Sequence, residues 1–305
     1  MAPITTGLHP KELWPGVVAF FGTTYKEHPE EFSQIFDAVT SDKAWEERVA
    51  ESGLGLAGVK GQGAAVTFDE TSQEYTSRLT NVVYAIGAII TREAIEDGQY
   101  ESKATKLARA MAFSIRQTQE NVSANILNRA FSSSYVGGDG KELLATDHTM
   151  YGGGTFSNEL SVAADLSELS MEDLAIQIMQ ATDSRGLKIS LMGQKLIIHP
   201  SEYFNAHRIL ESVQQSGTAN NDVNVMKSKG FFPGGIVVNH YLTDADAWFV
   251  KTNIPKESGL IHQKRRPYEF TQDNDFDTEN AKMKATIRET FGWANPRALF
   301  GSAGS

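Results

Sequence analysis

Three aspartates at alternate positions, Asp273, Asp275 and Asp277, form the first group in this chain whose types and spacing could do chemistry. Carboxylates placed this way offer oxygens to a hard cation, but a calcium loop also needs Gly at its sixth position and Glu at its twelfth. Counted from Asp273, those positions hold Thr278 and Lys284, so the run reads as a solvated turn. Asp244 and Asp246, between two apolar runs, read the same way. None of the seven histidines has metal-ligand spacing. His199 is expected to close a strand, His207 to lie on a helix, His240 on a strand, and His148 before a glycine loop. No serine occupies the G-x-S-x-G elbow, and nothing raises a Ser/His/Asp set. Gly137-Gly138-Asp139-Gly140 and Gly152-Gly153-Gly154 match neither a Walker nor a dinucleotide fingerprint. Cysteine is absent, which removes disulfides, thiolate metal sites and a cysteine nucleophile. The basic group Lys264-Arg265-Arg266 falls in a strand-like run and reads as an interface or wet face. No catalytic, cofactor-binding or metal residue is expected, and no enzyme.

Composition narrows the function further. The 305 residues suffice for a sizeable core, in two domains or one elaborate one. With 40% hydrophobic and 22% charged residues the chain is globular in character. No apolar run approaches the ~20 residues of a membrane span; Val82 to Ile90 is strand-length. The start, MAPITTGLHPKEL, lacks the basic and apolar regions of a secretory signal. Thirty-eight acids against twenty-eight bases give a net charge of −10, a poor balance for gripping a nucleic-acid backbone.

The positioning elements centre on residues 102–131. This run has neither Gly nor Pro, and Leu107, Met111, Ile115, Val122 and Ile126 share one helical face, with Thr118 in the same row. Ser102 is expected to cap a helix about 45 Å long. Before it, Pro29 precedes an apolar stripe at Phe32, Ile35, Phe36 and Val39, and Ser41 or Asp42 is expected to cap a short helix carrying Trp45 and Val49. From Gly53 to Gly63 five glycines in eleven residues loosen the backbone. Strands are expected at Ala64 to Phe68 and at Tyr75 to about Ile90, with Asp69-Glu70-Thr71-Ser72 as the turn of a long hairpin. A hairpin of that length is marginal alone and is expected to pack on something, such as another subunit. Ser170 to Asp173 reads as a capping box, Lys195 to His199 as a buried strand stopped by Pro200, and Ser201 as the start of a helix. Ile236 to Leu242 and Trp248 to Lys251 complete an α/β module from Leu160 to Pro255. Leu260 to Phe270 and Asn280 to Phe291 read as strands. The second alternates, with Ala281, Met283, Ala285, Ile287 and Glu289 on one side, so Glu289 needs a partner there.

Several runs carry a resemblance in both sequence and order: LATDHTMYGGGTFSN (144–158), DSRGLKISLMGQKLIIHPSEYFNAHRIL (183–210), TANNDVNVMKSKGF (218–231), VVNHYLTDADAWFV (237–250) and DFDTENAKMKATIRETFGWANPRALFGS (275–302). They cover most of residues 100–302, and the chain resembles the major capsid proteins of tailed bacteriophages with the Hong Kong 97 fold, closest to the group like the phage Mu major head subunit. The resemblance implies an α+β fold with an N-terminal arm (1–54), an E-loop hairpin (55–95), a peripheral domain (96–159 and 256–305) holding the spine helix, and an axial domain (160–255). It implies hexamers and pentamers of an icosahedral head around double-stranded DNA, held without sequence-specific binding. Localisation is then the virion, with assembly in the host cytoplasm. The partners implied are copies of itself, a separate scaffolding protein, a portal and a decoration protein, without cofactor or membrane. Trp14, Phe68, Asp69, Glu70, Tyr75, Arg78, Arg265 and Arg266 are the expected subunit-interface residues. The competing expectations are an encapsulin-like nanocompartment shell and a soluble α/β enzyme built on the Leu160–Pro255 module.

Overall fold

The computed structural model describes residues 21–97, 100–214, 223–275 and 277–305. Its strands are β1 (Asp37–Thr40), β2 (Trp45–Glu51), β3 (Gln73–Thr80), β4 (Val82–Ile90), β5 (His148–Thr149), β6 (Thr155–Phe156), β7 (Gly193–Ile198), β8 (Ile236–Val238), β9 (Trp248–Thr252), β10 (Leu260–Asn274), β11 (Ala281–Trp293) and β12 (Leu299–Ser302). Its helices are α1 (Phe32–Ile35), α2 (Arg92–Glu96), α3 (Tyr100–Asn128), α4 (Glu168–Gln180), α5 (Tyr203–Glu211) and α6 (Val225–Lys229), and residues 21–27 are also helical.

The alternation at residues 281–291 makes β11 a strand with one buried side: Ala281, Met283, Ala285, Ile287, Glu289 and Phe291 are all buried, while Lys282 and Lys284 are exposed. Strand β11 sits inside a sheet of order β1-β10-β11-β4, antiparallel except for the parallel pair β1–β10. Helix α3 covers this sheet. Its Ala104, Ala108, Met111, Ala112 and Ile115 share one core with Ile90, Met283, Ala285 and Ile287, and Leu107 packs on that core's edge. Alanines let helix and sheet approach closely, and burying the larger side chains contributes about 1.5–3 kcal/mol each.

The far half of the apolar row leaves Met283, Ala285 and Ile287 and meets β11 only at its end, near Phe291. Val122 and Ile126 pack on a second core, with Phe32, Ile35, Phe249, Leu260 and Leu299. Helical geometry explains the change, since at 3.6 residues per turn Leu107 and Ile126 stand roughly 100° apart around the axis. Ser102 lies inside α3 and is not its cap, because the helix begins at Tyr100.

A second sheet has order β12-β9-β7-β8, with β7–β8 parallel and the other pairs antiparallel. Leu196, Ile198, Trp248, Val250 and Phe300 face helices α4, α5 and α6 in a third core. Their neighbours Ile197, Phe249 and Leu299 turn the other way, into the second core that joins the two sheets. The sheet therefore takes an edge strand from residues 299–302 as well as strands from residues 193–252. Helix α4 starts earlier than expected. Ser167 is the cap and accepts from the Ser170 N–H, while Ser170 sits at the third helical position and its hydroxyl accepts from the Ser167 N–H. Strand β8 stops at Val238, so His240 falls in a turn and not on a strand.

The larger corrections fall before residue 75. Trp45 and Val49 belong to strand β2, not to a helix, and Val39 lies in β1, beyond the short helix α1. Strand β2 pairs antiparallel with β3, so the hairpin arms are 45–51 and 73–80. Ala64 to Phe68 is not a strand, and the run from Tyr75 to Ile90 breaks at Asn81 into β3 and β4.

Candidate functional site

The hairpin β2–β3 is held by polar contacts on its covered side. In β2 the partly covered residues are Glu46, Arg48 and Ala50, while Trp45 and Val49 face out. Arg48 donates from Nε to the Glu257 carbonyl at 2.8 Å. Ser77 on β3 donates to the Ala294 carbonyl at 3.2 Å, and the buried Gln263 donates to Leu79 O at 3.2 Å and Asn81 Oδ1 at 3.0 Å. Gly138 lies flush against β3, where a Cβ would come within 2.7 Å of Thr76 O.

Beyond these anchors the chain runs out from Ser52 and returns at Ser72 without a strand ladder. Ser52 N donates to Ser72 O at 3.0 Å, and Gly55 N to Asp69 Oδ2 at 2.7 Å. The turn at the tip is Gly61-Gln62-Gly63-Ala64, closed by Ala64 N to Gly61 O at 3.1 Å, and Gly63 takes φ +78°, a conformation that suits glycine. Asp69 to Ser72, expected at the tip, therefore lies on the returning limb near the root. The loop's apolar side chains are bare: Leu56 is 86%, Val59 104% and Phe68 96% exposed.

Arg185, on the turn at residues 183–186, fastens this returning limb. Its Nη1 pairs with Asp69 Oδ2 at 2.9 Å and its Nη2 donates to the Glu70 carbonyl. The Gly55 and Glu70 N–H groups, with Arg185, hold the Asp69 carboxyl below the usual carboxylate range. Between root and latch lies a cleft of about 440 Å³, lined among others by Arg48, Glu51, Glu74, Tyr75, Asp183 and Arg297. Burial, with Asp139 nearby, pushes the Tyr75 hydroxyl up to about 12. Arg297 stacks 3.7 Å over the Phe156 ring and donates to Thr182 O at 2.7 Å, and burial lowers its pKa.

The expected interface residues divide into separate groups. Phe68, Asp69 and Glu70 lie on the loop and Tyr75 in the cleft. Arg78 pairs with Glu47 at 2.6 Å and stands 4.4 Å over the Trp45 ring, on the hairpin's outer face. Arg265 and Arg266 belong to β10, paired with Asp42 at 3.4 Å and Glu269 at 3.2 Å. Trp14 lies outside the described residues. Sequence reasoning missed Arg185, which no pattern marks because its partners lie more than a hundred positions away.

Two buried polar clusters deserve the chemist's question, and both spend their groups on the fold. His148 is wholly buried, with Nδ1 2.6 Å from Asp139 Oδ2 and Nε2 3.1 Å from Asn158 Oδ1. Both ring nitrogens are thereby engaged, which leaves none facing a substrate. Glu289, the acid on the apolar side of β11, meets His262 Nε2 at 2.7 Å and Gln119 Nε2 at 2.9 Å. Among the described residues no group of three or more His, Cys, Asp or Glu side chains could hold a metal ion. No helix among them is long and apolar enough to cross a membrane.

Comparison with solved structures places the architecture. The chain is similar to a virus-like particle from Pyrococcus furiosus, at 12% identity and TM-score 0.56, over 95% of this chain and 99% of that one. It is similar to the capsid of a native GTA particle at 12% identity and TM-score 0.54, over 89% of each chain. A third likeness is to a structure from Microbacterium phage Oxtober96, at 9% identity and TM-score 0.54, over 90% of each. These likenesses show the fold, an α+β architecture of the Hong Kong 97 capsid type. No curated protein matches in sequence. The family model described as phage capsid protein matches residues 74–301, three quarters of the length, from the second arm of the hairpin to the final strand. The chain belongs to the phage capsid protein family, a family of self-assembling shell proteins.

Proposed function

We propose that this chain is the major head subunit of a tailed phage or prophage, closest in kind to the phage Mu major head subunit, and that it tiles an icosahedral shell as hexamers and pentamers around double-stranded DNA. The observation that carries the proposal is the loop 52–72, which presents Leu56, Val59 and Phe68 to solvent and gains nothing from its own core. Exposed apolar side chains on a reaching element suit burial against another copy. On this reading residues 1–54 act as an arm, 55–95 as the overlapping hairpin, 96–159 with 256–305 as the peripheral domain, and 160–255 as the axial domain. Trp14, Phe68, Asp69, Glu70, Tyr75, Arg78, Arg265 and Arg266 then lie at or beside subunit contacts, and the role is structural, without catalysis. A scaffolding protein, a portal and a decoration protein are its partners, with assembly in the host cytoplasm and residence in the virion. The net charge of −10 suits a wall that contains DNA without adhering to it.

Electron microscopy of the expressed protein, with and without a scaffold, tests this. Capsomers or megadalton particles are expected, and a small monomer under every condition overturns it. Free capsomers should fail to bind DNA at any salt concentration, whereas tight sequence-independent binding would remove the charge argument. A second reading, a non-viral nanocompartment, is favoured by the near full-length likeness to the Pyrococcus furiosus virus-like particle. Particle content separates the two: double-stranded DNA for the head, packaged protein for the compartment.

A further inference from the structure

Helix α3 covers one face of the sheet β1-β10-β11-β4, and part of the opposite face carries a basic cluster in a chain of net charge −10. On β11 Lys284, Thr286 and Arg288 stand in a row on that face, each about 6.6 Å from the next. Across from Arg288 in the register is Arg266 on β10, a lone pair with a register shift on either side. Opposite residues of an antiparallel pair share a face, and like charges placed there repel. Arg266 turns toward Thr286, donating from Nη2 to Oγ1 at 3.0 Å, and its Nη1 pairs with Glu269 at 3.2 Å. Glu269, directly opposite Thr286, is the acid set among these three bases. Farther along, Lys282 is paired with Asp275 at 2.7 Å and stands opposite Asp273. Among the described residues Arg288 and Lys284 have no ion-pair partner, and the Nε atoms of Arg266 and Arg288 are both buried without an acceptor.

The donors converge on Thr286. Its hydroxyl accepts from Arg266 and keeps its own proton to donate, the two guanidinium forks match pairs of anionic oxygens, and Lys284 supplies an ammonium from the other side. On β4 the neighbours are small and exposed, Ala85 opposite Thr286 and Gly87 opposite Lys284, so nothing bulky roofs the cluster. A single carboxylate would leave most of these donors unused, whereas a tetrahedral oxyanion with close to two negative charges engages them all. A nucleic-acid duplex fits less well, because it rewards a long basic track and this one ends at Asp273 and Asp275. We infer that Arg266, Arg288, Lys284 and Thr286 form a binding site for a phosphate group, and that the bound anion offsets the repulsion between the two arginines. The inference stands apart from the shell-forming reading above.

The test follows thermal unfolding of the full-length chain in sodium phosphate and in sodium chloride of equal ionic strength. Wild type should show a saturable rise in unfolding temperature with phosphate, since a ligand bound only by the folded state stabilises it. In Arg288→Gln the saturable part should vanish, while the general salting effect of phosphate stays. In chloride alone Arg288→Gln should melt at or above the wild-type temperature, because it removes the like-charge pair. A side chain that served packing alone would instead lower the temperature in both salts, which overturns the inference. Lys284→Gln, at an exposed position, supplies a second lesion if Arg288→Gln does not fold. Calorimetric titration with inorganic phosphate and with a mononucleotide then identifies the source, the tighter of the two, and each variant should bind it roughly tenfold or more weakly. No saturable response to either probe, or the same response in wild type and variants, overturns the site. So does tight binding of a duplex DNA fragment that depends on Arg288, which would make this face a nucleic-acid contact.

Discussion

Asn158, fully buried, is where three stretches of chain meet. Its Nδ2 faces the carbonyls of Leu143 at 2.7 Å, Pro296 at 3.0 Å and Leu299 at 3.1 Å, and its Oδ1 accepts from Ala145 N at 2.9 Å. The surrounding carbonyls fix which end of the amide points where. Asn158→Asp keeps the shape but turns an oxygen toward the three carbonyls, and should cost roughly 4 kcal/mol in urea unfolding. A loss under about 1 kcal/mol would show that the site relaxes. Glu120 gives a pH-dependent counterpart. It is buried and accepts from the Glu31 and Phe32 N–H groups at 2.9 and 3.1 Å, which fastens the start of α1 to the spine. Burial pushes its carboxyl up to about 7, above the ordinary 4.5, against the pull of those two donors and Arg116, with Glu31 adding to the rise. The folded state then holds a proton that the unfolded chain releases, so this group's contribution is full below pH 4.5 and is lost as the pH rises to about 7. Subtracting the stability of Glu120→Gln from that of wild type at each pH should expose that falling slope, and a flat difference would contradict it. The need for a partner at Glu289 was legible in the sequence, because an acid on an apolar row of a strand must be paired. The partners themselves, His262 and Gln119, were not, since they come from another strand and from the spine helix.

At the scale of elements, legibility followed the apolar pattern. Strand β11 and helix α3 were readable because each buries one apolar face at its own period. Strand β2 was misread because its pattern is inverted: its covered positions are Glu46, Arg48 and Ala50, and its apolar Trp45 and Val49 face out with the four-residue spacing of a helix. Residues 64–68 have strand-like composition but no partner strand among the described residues, and an unpaired strand has nothing to stabilise it. The latch at Arg185 gives this element its testable property. The pair with Asp69 is partly exposed and screened by solvent, so Arg185→Ala should leave the global unfolding transition nearly unchanged. It should instead free the returning limb, seen as faster amide exchange over residues 52–72 and unchanged exchange in β2 and β3. Equal acceleration throughout the hairpin would mean that Arg185 supports the root as well as the loop.

For the whole molecule the decisive connection is made last. The sequence shows an α/β module between residues 160 and 255, yet the sheet of that module is completed by β12, 47 positions beyond its preceding strand β9, which ends at Thr252 and pairs with it antiparallel. The missing strand could not be read because LFGS is four residues long and shows no alternation: all four residues are buried. Its contacts reach both sheets. Phe300 enters the core beneath α4, Leu299 enters the core shared with Phe32 and Leu127, and Ser302 Oγ donates to Ala164 O at 2.8 Å. Gly301 lets the strand close on β9, where a Cβ would stand 2.7 Å from Trp248 O. A chain truncated after Ala298 therefore leaves Trp248, Phe249 and Val250 on an open sheet edge and strips one wall from two cores. Losing two large side chains from separate cores, at about 2–5 kcal/mol each, removes most of the 5–15 kcal/mol that holds an ordinary domain folded. That truncation should give insoluble protein or one without a cooperative melt, whereas removing residues 303–305 alone should leave a normal transition and intact assembly. A soluble, cooperatively melting product ending at Ala298 would mean that the second sheet is self-sufficient, and that the return of the chain serves assembly more than folding.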